Sequence, residues 1–81
     1  MDKNYDIRSI LTLKILLDYK GEFLSYERIQ AEGMKRLQAS EGQLTYKIIA
    51  RSLDIMEKVG IPLESRYFKE NKSVIRQVRW T

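Results

Sequence analysis

The fold is decided by residues 44–65, which read LTYKIIARSLDIMEKVGIPLES. Apolar residues recur in this stretch at the spacing of one face of an α-helix. They are Leu44, Ile48, Ile49, Leu53, Met56 and Val59. Charged residues fall on the opposite side of the same helix, and they are Lys47, Arg51, Asp54 and Lys58. The pattern predicts a helix that buries one face and turns a mainly basic face outward.

The ends of this helix carry their own signals. Thr45 can cap the N-terminus, because its hydroxyl oxygen can accept a hydrogen bond from a main-chain N–H of the first turn. Residues 40–43, with Ser first and Gln last, form a competing capping box that would start the helix one turn earlier. Gly60 can adopt the left-handed conformation that ends a helix, and Pro62 cannot continue one. We therefore expect the helix to span residues 45–59.

A first helix is predicted over residues 6–19, which contain seven Ile and Leu residues. These residues cover a wide sector of the helix, which implies burial on more than one side. Asp6 is placed to cap the N-terminus of this helix, and Gly21 can end it.

A second helix is expected to open at Ser25, which follows a short extended segment over residues 22–24 and can act as its N-cap. Apolar residues then recur at helical spacing, but Gly33 weakens the middle of the run. The helix can end there or continue, and periodicity leaves the conformation of residues 33–43 open.

After the third helix the pattern changes from helix to strand. Residues 63–69 and 74–80 are rich in β-branched and aromatic side chains, and a turn-forming segment over residues 70–73 separates them. Asn71 tolerates the left-handed backbone that a tight turn requires. The sequence therefore predicts a single α+β domain over residues 1–81, with three helices followed by a C-terminal β-hairpin.

Four large apolar side chains are assigned to the interior. Phe68 and Trp80 are expected to pack the hairpin against the helices, since large aromatic side chains usually fill cores. Met34 and Met56 are expected to fill the core between the helices.

The composition argues against an enzyme. The chain contains no His and no Cys, which removes the commonest general base, the commonest metal ligand and all thiolate or disulfide chemistry. The nearest carboxylate pair, Glu57 and Glu64, is interpreted as solvated, and no Gly-rich phosphate loop occurs. No apolar run is long enough to span a bilayer, and the chain does not begin as a signal peptide does. We expect a cytoplasmic, non-enzymatic protein without a cofactor, metal, small-molecule ligand or membrane partner.

The formal net charge of +4 is unevenly distributed. Residues 1–43 carry seven basic and seven acidic side chains, whereas residues 44–81 carry eight basic and four acidic ones. The excess therefore lies in the third helix and the hairpin. A basic helix followed by a basic hairpin is the layout of a winged helix-turn-helix, in which the helix enters the major groove of DNA and the hairpin, or wing, lies on the phosphate backbone.

Two simpler interpretations compete with DNA contact. Lys47 and Arg51 could belong to a solvated helix face. The cations of the hairpin could instead protect its edge strands from self-association. Their clustering on one helix and on the hairpin beside it favours nucleic-acid binding.

Residues 44–65 also resemble the DeoR-type winged helix, which WYL-domain regulators carry at their N-termini. The family pattern has an apolar-Arg-Arg-Asp-Leu core and ends in Leu-Glu-x-x-Gly-Ile-Pro-Ile-Glu, and the match is most specific over residues 57–65. A looser resemblance over residues 8–29 covers the first helix and the entry into the second. Ala50 and Ser52 depart from the pattern, because the family often has Arg and Asp there, and the connection that follows Ile29 is longer than the family's turn.

The resemblance implies that Thr45 caps a recognition helix and that the next residues face the major groove, while the hairpin adds three basic candidates. The predicted DNA contacts are Thr45, Tyr46, Lys47, Ala50, Arg51, Arg66, Lys69 and Lys72. We expect a sequence-specific double-stranded DNA-binding protein, a transcriptional regulator, that binds a palindromic site as a homodimer through the exposed side of its first helix. The alternative is a winged-helix module that docks protein in a replication or mobile-element complex, which the modest net charge and Ala50 favour.

Overall fold

Three α-helices and one antiparallel sheet of three strands build the fold. The computed structural model describes residues 3–81, with side chains described from residue 7 onward. The helices are α1 (Lys3–Asp18), α2 (Tyr26–Arg36) and α3 (Tyr46–Lys58), and a short 3₁₀ helix spans Ala39–Glu41. The strands are β1 (Leu24–Ser25), β2 (Leu63–Glu70) and β3 (Ser73–Trp80). The predicted α+β class, with three helices followed by a hairpin, is confirmed.

Two of the three predicted N-caps are confirmed. The Ser25 hydroxyl accepts a hydrogen bond from the Arg28 N–H at 3.1 Å, and the Thr45 hydroxyl accepts one from the Ile48 N–H at 3.3 Å. The prediction that Asp6 caps α1 is wrong, because α1 begins at Lys3 and contains Asp6. No Gly or Pro precedes Asp6 in the sequence, so nothing there prevents the helix from starting earlier.

The segment that periodicity left open is helical on both sides of a short break. α2 continues past Gly33 to Arg36, and the 3₁₀ helix follows. In that turn the Glu41 carboxylate accepts a hydrogen bond from the Gln38 N–H at 2.7 Å. The competing capping box over residues 40–43 is therefore wrong, because the side chain of Glu41 caps this separate turn and α3 begins only after Thr45.

The sheet has the order β1-β3-β2, with β2 and β3 paired along their whole length. The turn between them contains Asn71 with a φ of 55°, as predicted. β1 lies on the other edge of β3, where Leu24 pairs with Val78 and Ser25 pairs with Gln77. The extended segment expected over residues 22–24 overlaps this strand only at Leu24.

The core lies between the helices and one face of the sheet. The buried apolar side chains among the described residues are Ile15, Leu16, Leu24, Ile29, Leu44, Ile49, Leu53, Met56 and Val78. Trp80 packs against this cluster, so the interior roles of Trp80 and Met56 are confirmed. Phe68 is 46% exposed and Met34 is 65% exposed, so their assignment to the core is wrong. Phe68 lies on the sheet face opposite the one that carries Val78, and Met34 lies on the outward side of α2.

Candidate nucleic-acid interface

The outward face of α3 carries four charged side chains. The buried side of the helix consists of Ile49, Ser52, Leu53 and Met56. The assignment of Val59 to this side is wrong, because Val59 follows the last helical residue and is 70% exposed. The exposed charged residues on the opposite side are Lys47, Arg51, Asp54 and Lys58. Ala50 is half-buried at the margin between the two sides. Three cations and one carboxylate leave this face with a net positive charge.

Thr45 and Tyr46 have structural partners at the start of α3. The Thr45 hydroxyl is engaged as the N-cap. The Tyr46 ring is 48% exposed and meets the ring of Tyr26 edge to face, with the ring centroids 5.8 Å apart. Because Tyr26 opens α2, this contact joins the N-terminal ends of α2 and α3.

A groove of about 450 Å³ lies between the N-terminal ends of α2 and α3 and strand β3. The residues that line it are Ser25, Tyr26, Glu27, Tyr46, Val74, Ile75, Arg76 and Gln77. Two tyrosine rings and the edge of a strand thus border the same concavity. The groove joins the start of α3 to the hairpin in one continuous surface.

Arg76 binds a residue from each of three elements beside this groove. Its guanidinium donates to the Tyr26 hydroxyl at 3.1 Å, to the Glu57 carboxylate at 3.1 Å and to the Ser65 hydroxyl at 2.9 Å. Burial by itself would lower the pKa of Arg76. This effect is outweighed by the hydrogen bonds to Tyr26 and Glu57 and by electrostatic interaction with Tyr26 and Tyr67, so the pKa is raised above its usual value. Arg76 therefore stays cationic and holds β3 against α2 and α3.

Arg66 lies apart from the other predicted DNA contacts. Its guanidinium lies 4.0 Å from the ring centroid of Phe23 and 4.9 Å from that of Phe68, and its Nε donates to the Gln77 side chain at 2.8 Å. These residues occupy the sheet face that points away from the buried core. The structure therefore separates Arg66 from the exposed face of α3.

Two lysines lie near the tip of the hairpin. Lys69 shares a hairpin face with Arg76, which bonds α2 and α3, because side chains alternate along each strand. Lys72 lies in the two-residue turn at the hairpin's end. Both lysines are exposed. They extend the basic surface beyond the groove.

Sequence patterns missed Arg76 and Tyr26 as parts of this surface. Alternation along β3 from Val78 could have placed Arg76 on the core-facing side of the strand. No local signal could have paired it with Tyr26, since fifty positions separate the two residues.

Glu57 and Glu64 are both exposed, in agreement with their interpretation as solvated side chains, and each also binds an arginine. Glu57 bonds Arg76 at 3.1 Å, and Glu64 forms an ion pair with Arg79 at 2.6 Å. Each carboxylate therefore has an arginine of β3 as its own partner.

No group of three or more potential metal-ligating side chains occurs in the part of the chain that the structure describes. No helix in that part is both long and apolar enough to cross a bilayer. No protein-family model, curated protein or solved structure matches the chain.

Proposed function

We propose that the protein is a winged helix-turn-helix that binds double-stranded DNA and regulates transcription, with α3 as the recognition helix and the β2–β3 hairpin as the wing. One observation carries the proposal: Lys47 and Arg51 are exposed on α3, and a single groove connects the start of the same helix, at Tyr46, with strand β3 of the hairpin. A helix about 10–12 Å wide matches the roughly 12 Å width of the B-DNA major groove. The arrangement would let α3 read bases while the hairpin follows the adjacent backbone.

The basic side chains divide into two groups by position. Arg51 can donate two parallel hydrogen bonds to O6 and N7 of guanine, and Lys47 can reach a neighbouring acceptor from one turn earlier. Lys69 and Lys72, on the wing, can neutralise phosphates and release their counterions. The α3 pair would confer sequence preference, and the wing pair would confer affinity for any duplex.

The groove fits the sugar-phosphate strand that would pass between α3 and the wing. The Tyr26 hydroxyl oxygen already accepts a hydrogen bond from Arg76, so its own proton is available to donate elsewhere. Tyr46 adds a second hydroxyl at the same wall of the groove. Hydroxyl groups and a fixed guanidinium are frequent partners of DNA phosphates.

Two copies of the chain are proposed to bind a palindromic site. α1 exposes Ile7, Ile10 and Leu17 by 44%, 63% and 47%, and their spacing puts them on one side of the helix. Burial of this stripe between two copies would remove apolar surface from water. The substitution Ile10→Glu is expected to convert a dimer into a monomer in sedimentation experiments, and a wild-type protein that is already monomeric on its site would refute this part of the proposal.

Salt titration of duplex binding tests the proposed function. Neutralisation of about five phosphates predicts that log K falls with log salt with a slope of roughly −4.5. Fluorescence anisotropy with a labelled duplex at several salt concentrations measures that slope. An absence of duplex binding at low salt, or a slope near zero, would instead favour the protein-docking alternative. The observation that supports this alternative is the exposed carboxylate of Asp54 on the same face of α3.

A further inference from the structure

Asp54 occupies the middle of the exposed face of α3. Arg51 precedes it and Lys58 follows it by about one helical turn, so it is bordered by cations. Six of the nine described carboxylates have a hydrogen-bond or ion-pair partner, and they are Asp18, Glu22, Glu32, Glu41, Glu57 and Glu64. Asp54 has no such partner among the described residues, and it shares this property with Glu27 and Glu70.

A carboxylate at this position is unfavourable beside a polyanion unless DNA itself supplies a hydrogen-bond donor. Phosphates repel it, and the acceptor atoms of guanine cannot bond it. The donors exposed in the major groove are the exocyclic amino groups of cytosine and adenine, and a carboxylate pairs with N4 of cytosine. A carboxylate on the reading face therefore favours some base pairs and rejects others.

We propose that Asp54 is a specificity-determining residue of this interface, whose carboxylate accepts a hydrogen bond from the N4 amino group of a cytosine. Asp54 lies three residues after Arg51, which is about 4.5 Å along the helix axis. Side chains this close together on one helix face can reach the same or neighbouring base pairs. Arg51 and Asp54 thus read the same or adjacent base pairs, with the cation on guanine and the carboxylate on cytosine. This inference rests on the proposed function.

The test compares selections from random duplexes by the wild type, Asp54→Asn and Glu70→Gln. Glu70 is the matched control, because it is also exposed and without a partner among the described side chains, but it lies on the wing beside the turn. The wild type is expected to select a motif with cytosine at a fixed position. Asp54→Asn is expected to reduce the preference for that cytosine by roughly tenfold. Glu70→Gln is expected to raise affinity for all duplexes alike and to keep the motif.

The outcomes separate this inference from the function on which it rests. If Asp54→Asn raises affinity equally for every sequence, as Glu70→Gln is expected to do, then Asp54 reads no base and the inference is overturned while DNA binding stands. If the wild type shows no salt-dependent duplex binding, the proposed function itself fails. Both variants change exposed side chains, and circular dichroism will establish that each is folded before selection.

Discussion

Gly33 of α2 lies directly against Leu44, the residue before the N-cap of α3. A Cβ atom placed on Gly33 would lie 2.5 Å from Cδ2 of Leu44 and 3.1 Å from its Cβ. Leu44 is fully buried, so its side chain has little room to move away. The glycine therefore allows the segment before α3 to pack closely on α2.

The substitution Gly33→Ala is expected to destabilise the protein, although alanine is the better helix former. The gain in helix propensity is about 1 kcal/mol, whereas overpacking of a filled core costs roughly 1–3 kcal/mol. We expect the free energy of unfolding to fall by about 1 kcal/mol in denaturant titrations.

A double substitution separates these two effects. In a Leu44→Ala background, which by itself costs roughly 2–5 kcal/mol, the clash is removed. Gly33→Ala is then expected to be neutral or to stabilise by up to about 1 kcal/mol. An equal loss in both backgrounds would show that the contact with Leu44 is not the cause.

The same contact illustrates what the sequence could predict. The N-cap Thr45 and the stop at Gly60, which adopts a φ of 91°, depend only on neighbouring residues, and both were predictable. The path of α2 through Gly33 depends on Leu44, eleven positions away. Hydrophobic periodicity carries no information about a contact at that sequence separation, so it could not predict the conformation of residues 33–43.

The candidate interface was predictable to a similar extent. The outward direction of Lys47 follows from the helical period of α3, and that period was strong. The position of Arg66 depends on which face of the hairpin meets the helices and on Phe23, a residue that precedes β1. Alternation alone puts Arg66 and Lys69 on opposite faces, but it does not identify the face that meets α3.

Removal of the Arg76 guanidinium is expected to loosen the hairpin from the helices. Arg76→Leu loses the hydrogen bonds to Tyr26, Glu57 and Ser65, and we expect the free energy of unfolding to fall by about 1–3 kcal/mol. Arg76→Lys keeps the charge but cannot reproduce the planar array of donors, so it is expected to restore only part of the loss. Full restoration by lysine would mean that charge, and not hydrogen-bond geometry, is what stabilises this junction.

The pH dependence of the Arg76 contribution follows from the direction of its pKa shift. Because the folded-state pKa is raised above the unfolded value, the stabilisation is complete below the unfolded value and is lost only as the pH rises through the folded-state value. Both values lie far above neutrality. The stability difference between the wild type and Arg76→Leu is therefore expected to be constant between about pH 6 and pH 9. A difference that shrinks across that range would contradict this assignment.

The two observed N-caps are expected to contribute similarly to stability. Thr45→Ala and Ser25→Ala each remove a hydroxyl that accepts a hydrogen bond from the first turn of a helix, and each should lower the free energy of unfolding by about 1 kcal/mol. Ser40→Ala is the control, because Ser40 is exposed and caps neither α2 nor α3. Ser40→Ala is expected to change the free energy of unfolding by no more than about 0.5 kcal/mol. A decrease as large as that caused by Thr45→Ala would indicate that Ser40 caps α3 and that the helix starts one turn earlier.

The two faces of the hairpin are expected to differ in their effect on DNA binding. Lys69→Gln and Lys72→Gln should each reduce the magnitude of the salt slope by about 0.9 if each lysine makes the phosphate contact that we propose for it. Arg66→Gln removes the same charge from the opposite face of the sheet and should leave the slope unchanged. Anisotropy titrations of the three variants on one duplex make the comparison. If Arg66→Gln reduces the magnitude of the slope as much as the lysine substitutions do, the DNA contacts the outer face of the sheet. That result would contradict the proposed position of the duplex against α3 and the groove.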